Sequence, residues 1–164
     1  MRIAAAALML ASGLLTGPAA ARDSLGLFET WGAFADPAVP RCYAIAMAQP
    51  SLKRREYQPY AAVGTWPRRG VRGQVHFRMS RRILPGAPIV LAIGRQRFRL
   101  AGGGADAWST DKRMDAAIVA AMRSADRMTV STRDSAGGGF SNTWPLAGAA
   151  TAIDAAAIGC ARLR

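Results

Sequence analysis

Short stretches of alternating or continuous apolar residues are separated along this chain by clusters of Pro, Gly and Asp, a pattern that predicts strands joined by turns. Residues 28–34 and 42–47 form two aromatic or apolar runs around ADPAVPR, where Asp36, Pro37 and Pro40 mark a turn or short loop. AQPSLKRREYQPY is polar and reads as an exposed loop, and Tyr60–Trp66 reads as a strand that stops at Pro67. QVHFRM alternates, with Val75, Phe77 and Met79 on one face and Gln74, His76 and Arg78 on the other. LPGAP predicts a turn, Ile89–Ile93 a central strand, and AGGGADA a loop. Met114, Ile118 and Met122 recur every fourth residue behind Thr110 or Asp111, which predicts a capped helix ending near Ser124. RMTVSTRD, SAGGG and FSNTW predict a hairpin, and the alanine-rich residues 147–160 a short terminal helix. The expected fold class is mainly β, a sandwich or partly open barrel with one or two short helices.

The first residues stand outside that pattern. Arg2 precedes an almost wholly apolar run, residues 3–15, and Ala19 and Ala21 suit the positions before a cleavage point. Residues 1–21 are therefore expected to be a secretory signal peptide, too short in its apolar part for the roughly 20 residues that span a bilayer. Residues 22–164 are expected to be one exported domain, periplasmic or secreted, with no transmembrane segment. Export makes Cys42 and Cys160 an expected disulfide, because they are an even pair outside any C-x-x-C motif.

Charge adds a question. The formal net charge is +12, and it is concentrated between residues 53 and 99, where twelve basic groups face Glu56 alone. In GRQRFRL, Arg95, Arg97 and Arg99 alternate with Gln96, Phe98 and Leu100. On a strand the three arginines would form one outward row, with Phe98 and Leu100 turned to the core. Arg81 and Arg82, on the preceding turn, extend the expected row. Such a row is either a solvated face or a site for phosphate or carboxylate groups, which the planar guanidinium grips in pairs.

Candidate chemistry is sparse. His76 is the only histidine, no G-x-S-x-G elbow accompanies it, and it is expected to be a solvated surface residue. One histidine and two disulfide-prone cysteines do not make a zinc site, so no metal and no cofactor are expected. Gly102 to Gly104 and Gly137 to Gly139 lack the G-K-[ST] ending of a phosphate loop and read as turns. Asp111 and Asp115 read as a cap and a favourable charge near a helix N-terminus. Trp31, Trp66, Trp108 and Trp144 are scattered and read as core or rim residues, so nucleic acid is not an expected partner.

Several pieces in order resemble one family: Trp31-Gly32-Ala33-Phe34, Arg41-Cys42-Tyr43-Ala44-Ile45-Ala46, Ile93-Gly94 with Phe98 and Leu100, Ala107-Trp108, residues 118–123, and Asn142-Thr143-Trp144-Pro145-Leu146. Over essentially the whole mature chain the sequence resembles the invasion-associated locus B family of exported alphaproteobacterial proteins. It departs from that pattern at Asn142 and Trp144, where relatives usually carry Asp and Tyr, and at Pro145. The resemblance implies an immunoglobulin-like β-sandwich and supplies no catalytic residues. The expected function is a non-enzymatic envelope protein that binds an anionic glycolipid or polysaccharide, or an envelope protein, through a basic face. The alternatives are a purely structural or protein-interaction sandwich with no acidic ligand, and a hydrolase without a familiar signature.

Overall fold

The computed structural model describes residues 22–161; the expected signal peptide lies outside the described residues. Ten antiparallel strands follow: β1 (Asp23–Phe28), β2 (Trp31–Asp36), β3 (Arg41–Met47), β4 (Tyr60–Trp66), β5 (Val71–Arg78), β6 (Ile89–Ile93), β7 (Gln96–Gly103), β8 (Asp106–Trp108), β9 (Arg127–Arg133) and β10 (Gly139–Pro145). Helix α1 (Lys112–Met122) lies between β8 and β9, and α2 (Ala149–Ala161) follows β10. The expected mainly β class with two short helices is what the chain adopts.

The strand order is β1-β2-β3-β4-β5-β8-β7-β6-β9-β10. The sheet folds over on itself in the manner of a sandwich. Phe77 on β5 meets Trp144 on β10 at a ring separation of 5.4 Å. Trp31 Nε1 on β2 donates to the carbonyl of Pro145 at 2.9 Å, and the Gln49 amide donates to the carbonyl of Thr143 at 2.8 Å. The core between the layers holds Val75, Phe77, Met79, Ile89, Leu91, Ile93, Met128 and Val130, all buried. All but Met79, which directly follows β5, sit on the inward-facing positions of their strands.

Helix α2 covers the inner face of β1 to β4 with Ala149, Ala152, Ile153, Ala156 and Cys160. Its end is tied to β3 by the expected bridge between Cys42 and Cys160, 118 residues apart in sequence. Helix α1 begins at Asp111, whose carboxylate accepts from the amide of Met114 at 2.8 Å. Among the described residues no helix is long and apolar enough to cross a membrane.

Two local expectations are corrected. Residues 28–34 are not one strand: Phe28 ends β1, a two-residue turn at Glu29 and Thr30 follows, and Trp31 opens β2. AGGGADA is not a loop either, because β7 runs through Gly103 and pairs with β8. Gly102 makes that pairing possible: a Cβ there would collide with Ile89 Cδ1 and lie 2.7 Å from the carbonyl oxygen of Asp106. After β4 a single 3-10 turn, Pro67–Arg69, leads into β5, which has already begun at Val71.

Candidate functional site

Register decides which arginines share a surface. Cross-strand partners point to the same side, and Arg97 faces Ala92, which faces Thr129, which faces Thr143. Arg99 likewise faces Val90, Ser131 and Ser141. Thr129 and Ser131 alternate with buried Met128, Val130 and Thr132, so Arg127 and Arg133 stand on the same outward side of β9. The outer face of β7, β6, β9 and β10 therefore presents Arg97, Arg99, Arg127 and Arg133 around the hydroxyls of Thr129, Ser131, Ser141 and Thr143. No strand position on this face holds a carboxylate.

Of the expected row, strand β7 holds only Arg97 and Arg99. Arg97 and Arg99 stand on β7 and are exposed, opposite half-buried Phe98 and buried Leu100. Arg95 is not on the strand. Ile93 pairs with Gln96, so Gly94 and Arg95 are the two turn residues of the β6–β7 hairpin. Gly94 has φ 54°, the left-handed value that a two-residue turn with Gly in its first central position uses. Arg97 Nη1 folds back onto that turn, donating to the carbonyls of Gly94 at 3.0 Å and Gln96 at 2.8 Å.

Arg81 does not extend the row. Its Nη1 donates to Asp134 Oδ2 at 2.8 Å, its Nε donates to the carbonyl of Arg54 at 3.0 Å, and its guanidinium lies 5.7 Å from the centre of the Phe140 ring. That is a structural clamp between the 54–82 region and the β9–β10 hairpin. The Arg81 guanidinium, followed by the amides of Gly138 and Ala136, holds the Asp134 carboxyl below the usual carboxylate range. Arg82 is exposed, and its Nη2 donates to the Tyr57 hydroxyl at 3.3 Å. Both arginines sit by the Ile83–Asp134 bridge at one end of β9, whereas the Arg95 turn lies at the opposite end, beyond Ile93 and Met128. Alternation pointed to Arg97 and Arg99; Arg127 and Arg133 were missed because only strand pairing places them beside β7.

A second surface is built differently. The outer face of β3, β4, β5 and β8 carries Tyr43, Ile45, Tyr60, Trp66, His76 and Trp108, and no described element covers it. It forms an open groove of about 650 Å³, to which Arg22, Arg41 and Gln74 also contribute. His76 is not simply solvated: its Nε2 lies 3.1 Å from Asp106 Oδ1, and Arg78 Nη1 donates to Asp106 Oδ2 at 2.6 Å. Asp106 lies in AGGGADA, where the glycines point to a loop, so alternation alone does not place it beside His76. Another cleft, about 610 Å³, runs between α2 and β4 beside Cys160, lined mainly by alanines and the 67–73 turn.

Asp115 also does more than oppose a helix dipole. It is buried, accepts from the Val75 amide at 2.8 Å and accepts from the Ser109 hydroxyl, fastening α1 to β5. Among the described residues no group of three or more His, Cys, Asp or Glu side chains is placed to hold a metal ion. No family model, curated protein or solved structure matches this chain.

Proposed function

We propose that this chain is an exported, non-enzymatic binding protein of the invasion-associated locus B type, with an immunoglobulin-like kinship, that recognises an anionic envelope component through Arg97, Arg99, Arg127 and Arg133. One observation carries the proposal: four exposed arginines share a sheet face on which no strand position is acidic. Arg127 and Arg133 are six residues apart on β9, a span of roughly 20 Å at about 3.3 Å per residue. That span exceeds the Debye length of about 8 Å at physiological salt. Charges so far apart do not converge on one small anion. They suit a repeating anion such as an acidic polysaccharide or the headgroups of an anionic glycolipid. The intervening hydroxyls of Ser131 and Ser141 are exposed and can donate to and accept from the same ligand, whereas those of Thr129 and Thr143 bond each other at 2.9 Å.

The test is binding to vesicles containing lipopolysaccharide and to dextran sulfate, a soluble polyanion without sugar carboxylates, each at low and physiological salt. The Arg97→Gln/Arg99→Gln/Arg127→Gln/Arg133→Gln variant is expected to stay folded and to bind severalfold more weakly. Replacing Lys112 and Arg113 on the exposed start of α1 is expected to have little effect. Equal binding by the quadruple variant, or no saturable binding by the wild type at physiological salt, refutes the site.

A further inference from the structure

The aromatic groove on β3, β4, β5 and β8 is a different surface from the arginine face, and nothing in the preceding proposal uses it. We infer that it is a saccharide-binding site, selective for a sugar bearing a carboxylate. Its volume of about 650 Å³ falls within the range of about 300–1,000 Å³ typical of ligand sites.

The floor consists of rings that brace one another side by side on the same face. Tyr43 stacks on Phe34 at a centroid separation of 5.7 Å, and Tyr60 lies 5.6 Å from the His76 ring. Trp66 lies across Gly64, where a Cβ would come within 2.7 Å of the indole. Glycine therefore lets Trp66 lie flat on the sheet and adds a broad ring to the floor. Trp108, opposite His76 on β8, is 39% exposed. Exposed aromatic faces at fixed spacing offer apolar surface at little conformational cost.

The strands beneath exclude recognition through main-chain pairing. β3 and β4 are hydrogen-bonded on both sides, β5 pairs with β8 through His76, Phe77 and Arg78, and the adjoining Val75 amide is taken by Asp115, so no free strand edge lies under Tyr43, Tyr60, His76 and Trp108. A ligand here is read by side chains alone: ring faces for apolar C–H surfaces, and Arg41, Gln74 and His76 for hydroxyl groups. A sugar ring has both kinds of surface.

The charge balance selects an acidic sugar. Each of two carboxylates bordering the groove is shared by two basic side chains. Asp36 has Arg22 at 3.8 Å and Arg41 at 3.3 Å; Asp106 has His76 at 3.1 Å and Arg78 at 2.6 Å. With three arginines to two carboxylates, the groove carries surplus positive charge before His76 is counted. Arg41 reaches 5.1 Å from the Tyr43 ring centre, and its Nε–H is buried without a hydrogen-bond acceptor.

The experiment is calorimetric and fluorescence titration of the disulfide-intact chain with tetragalacturonate, with neutral maltotetraose and with a tetraglutamate peptide, alongside a sizing column. Trp66 and Trp108 report on the groove because Trp31 and Trp144 are buried. Tetragalacturonate is expected to bind with a change in tryptophan emission and to bind about tenfold more tightly than maltotetraose, equivalent to about 1.4 kcal/mol. Trp66→Ala and Trp108→Ala are each expected to weaken it about tenfold, and Gly64→Ala to weaken it by displacing the indole while leaving every donor in place. The quadruple arginine variant of the other face is expected to bind tetragalacturonate in the groove as well as the wild type, so the two proposals fail separately. The inference is overturned by no binding at millimolar sugar, by equal binding of the peptide, by indifference to all three groove substitutions, or by a dimer that Trp108→Ala converts to monomer.

Discussion

Removal of the Cys42–Cys160 bridge should cost this protein more than any single surface contact. The bridge closes 118 residues, and the chain-entropy relation makes such a loop worth about 5 kcal/mol at 25 °C. Small domains have only about 5–15 kcal/mol in total. The helix it anchors has little else to hold it: its buried face is Ala149, Ala152, Ile153 and Ala156, mostly single methyl groups. Both sulfurs are buried, so the replacement should be apolar and small. Cys42→Ala/Cys160→Ala is expected to lose about 3–5 kcal/mol in urea unfolding, with a steeper denaturant slope because the unfolded chain is no longer cross-linked. Hydrogen exchange should show the amides of α2 losing protection before those of β3 and β4. A loss under about 1 kcal/mol with α2 still protected would show that packing, not the tether, holds the helix.

Asp115→Ala should cost about 2–4 kcal/mol in the same assay, because the buried Val75 amide and Ser109 hydroxyl both lose their acceptor. Gly102→Ala should destabilise by about 1–3 kcal/mol through its clash with Ile89 and the Asp106 carbonyl, while Gly103→Ala, which meets nothing within 4 Å, should be nearly neutral. Asp134 is held below its ordinary value by Arg81, so its contribution is present above about pH 4 and is lost as pH falls through its lowered folded value. Arg81→Gln should therefore be less stable than wild type at pH 7, and the gap should narrow by pH 2; a gap unchanged across that range would exclude the ion pair as its source.

Much of the fold was legible because alternation is a local signal. Val75, Phe77 and Met79 are buried and His76 and Arg78 are not, as a period of two requires. The 89–93 run became a central strand and Asp111 became a cap for the same local reasons. Tight turns were harder. Glu29 and Thr30 carry no Gly or Pro, and Glu29 takes φ 54°, so nothing in residues 28–34 announced a hairpin. The glycines after Leu100 misled in the opposite direction. Three in a row suggest a loop, but Gly102 is needed where β7 and β8 lie close to Ile89.

Both candidate surfaces depend on pairing between distant strands, which alternation does not report. Arg99 and Ser131 share a face only because β6 lies between them, and His76 meets Asp106 only because β8 returns beside β5. Once pairing is known, the scarcity of acid becomes informative. The chain has ten acidic residues, and Asp36, Asp106, Asp111, Asp115, Asp134 and Asp154 are committed to ion pairs, a cap or a buried clamp. They hold Arg41, Arg78, Arg81 and Arg123 in fixed positions, and Arg78 and Arg81 there support the sandwich. Arg97, Arg99, Arg127 and Arg133 gain no such partner among the described residues. Their charge must be balanced by mobile ions or by a ligand from outside the chain. Mobile ions exchange freely with salt, whereas a fitted polyanion saturates and discriminates among arginine variants, which is why salt-resolved binding separates a wet face from a functional one.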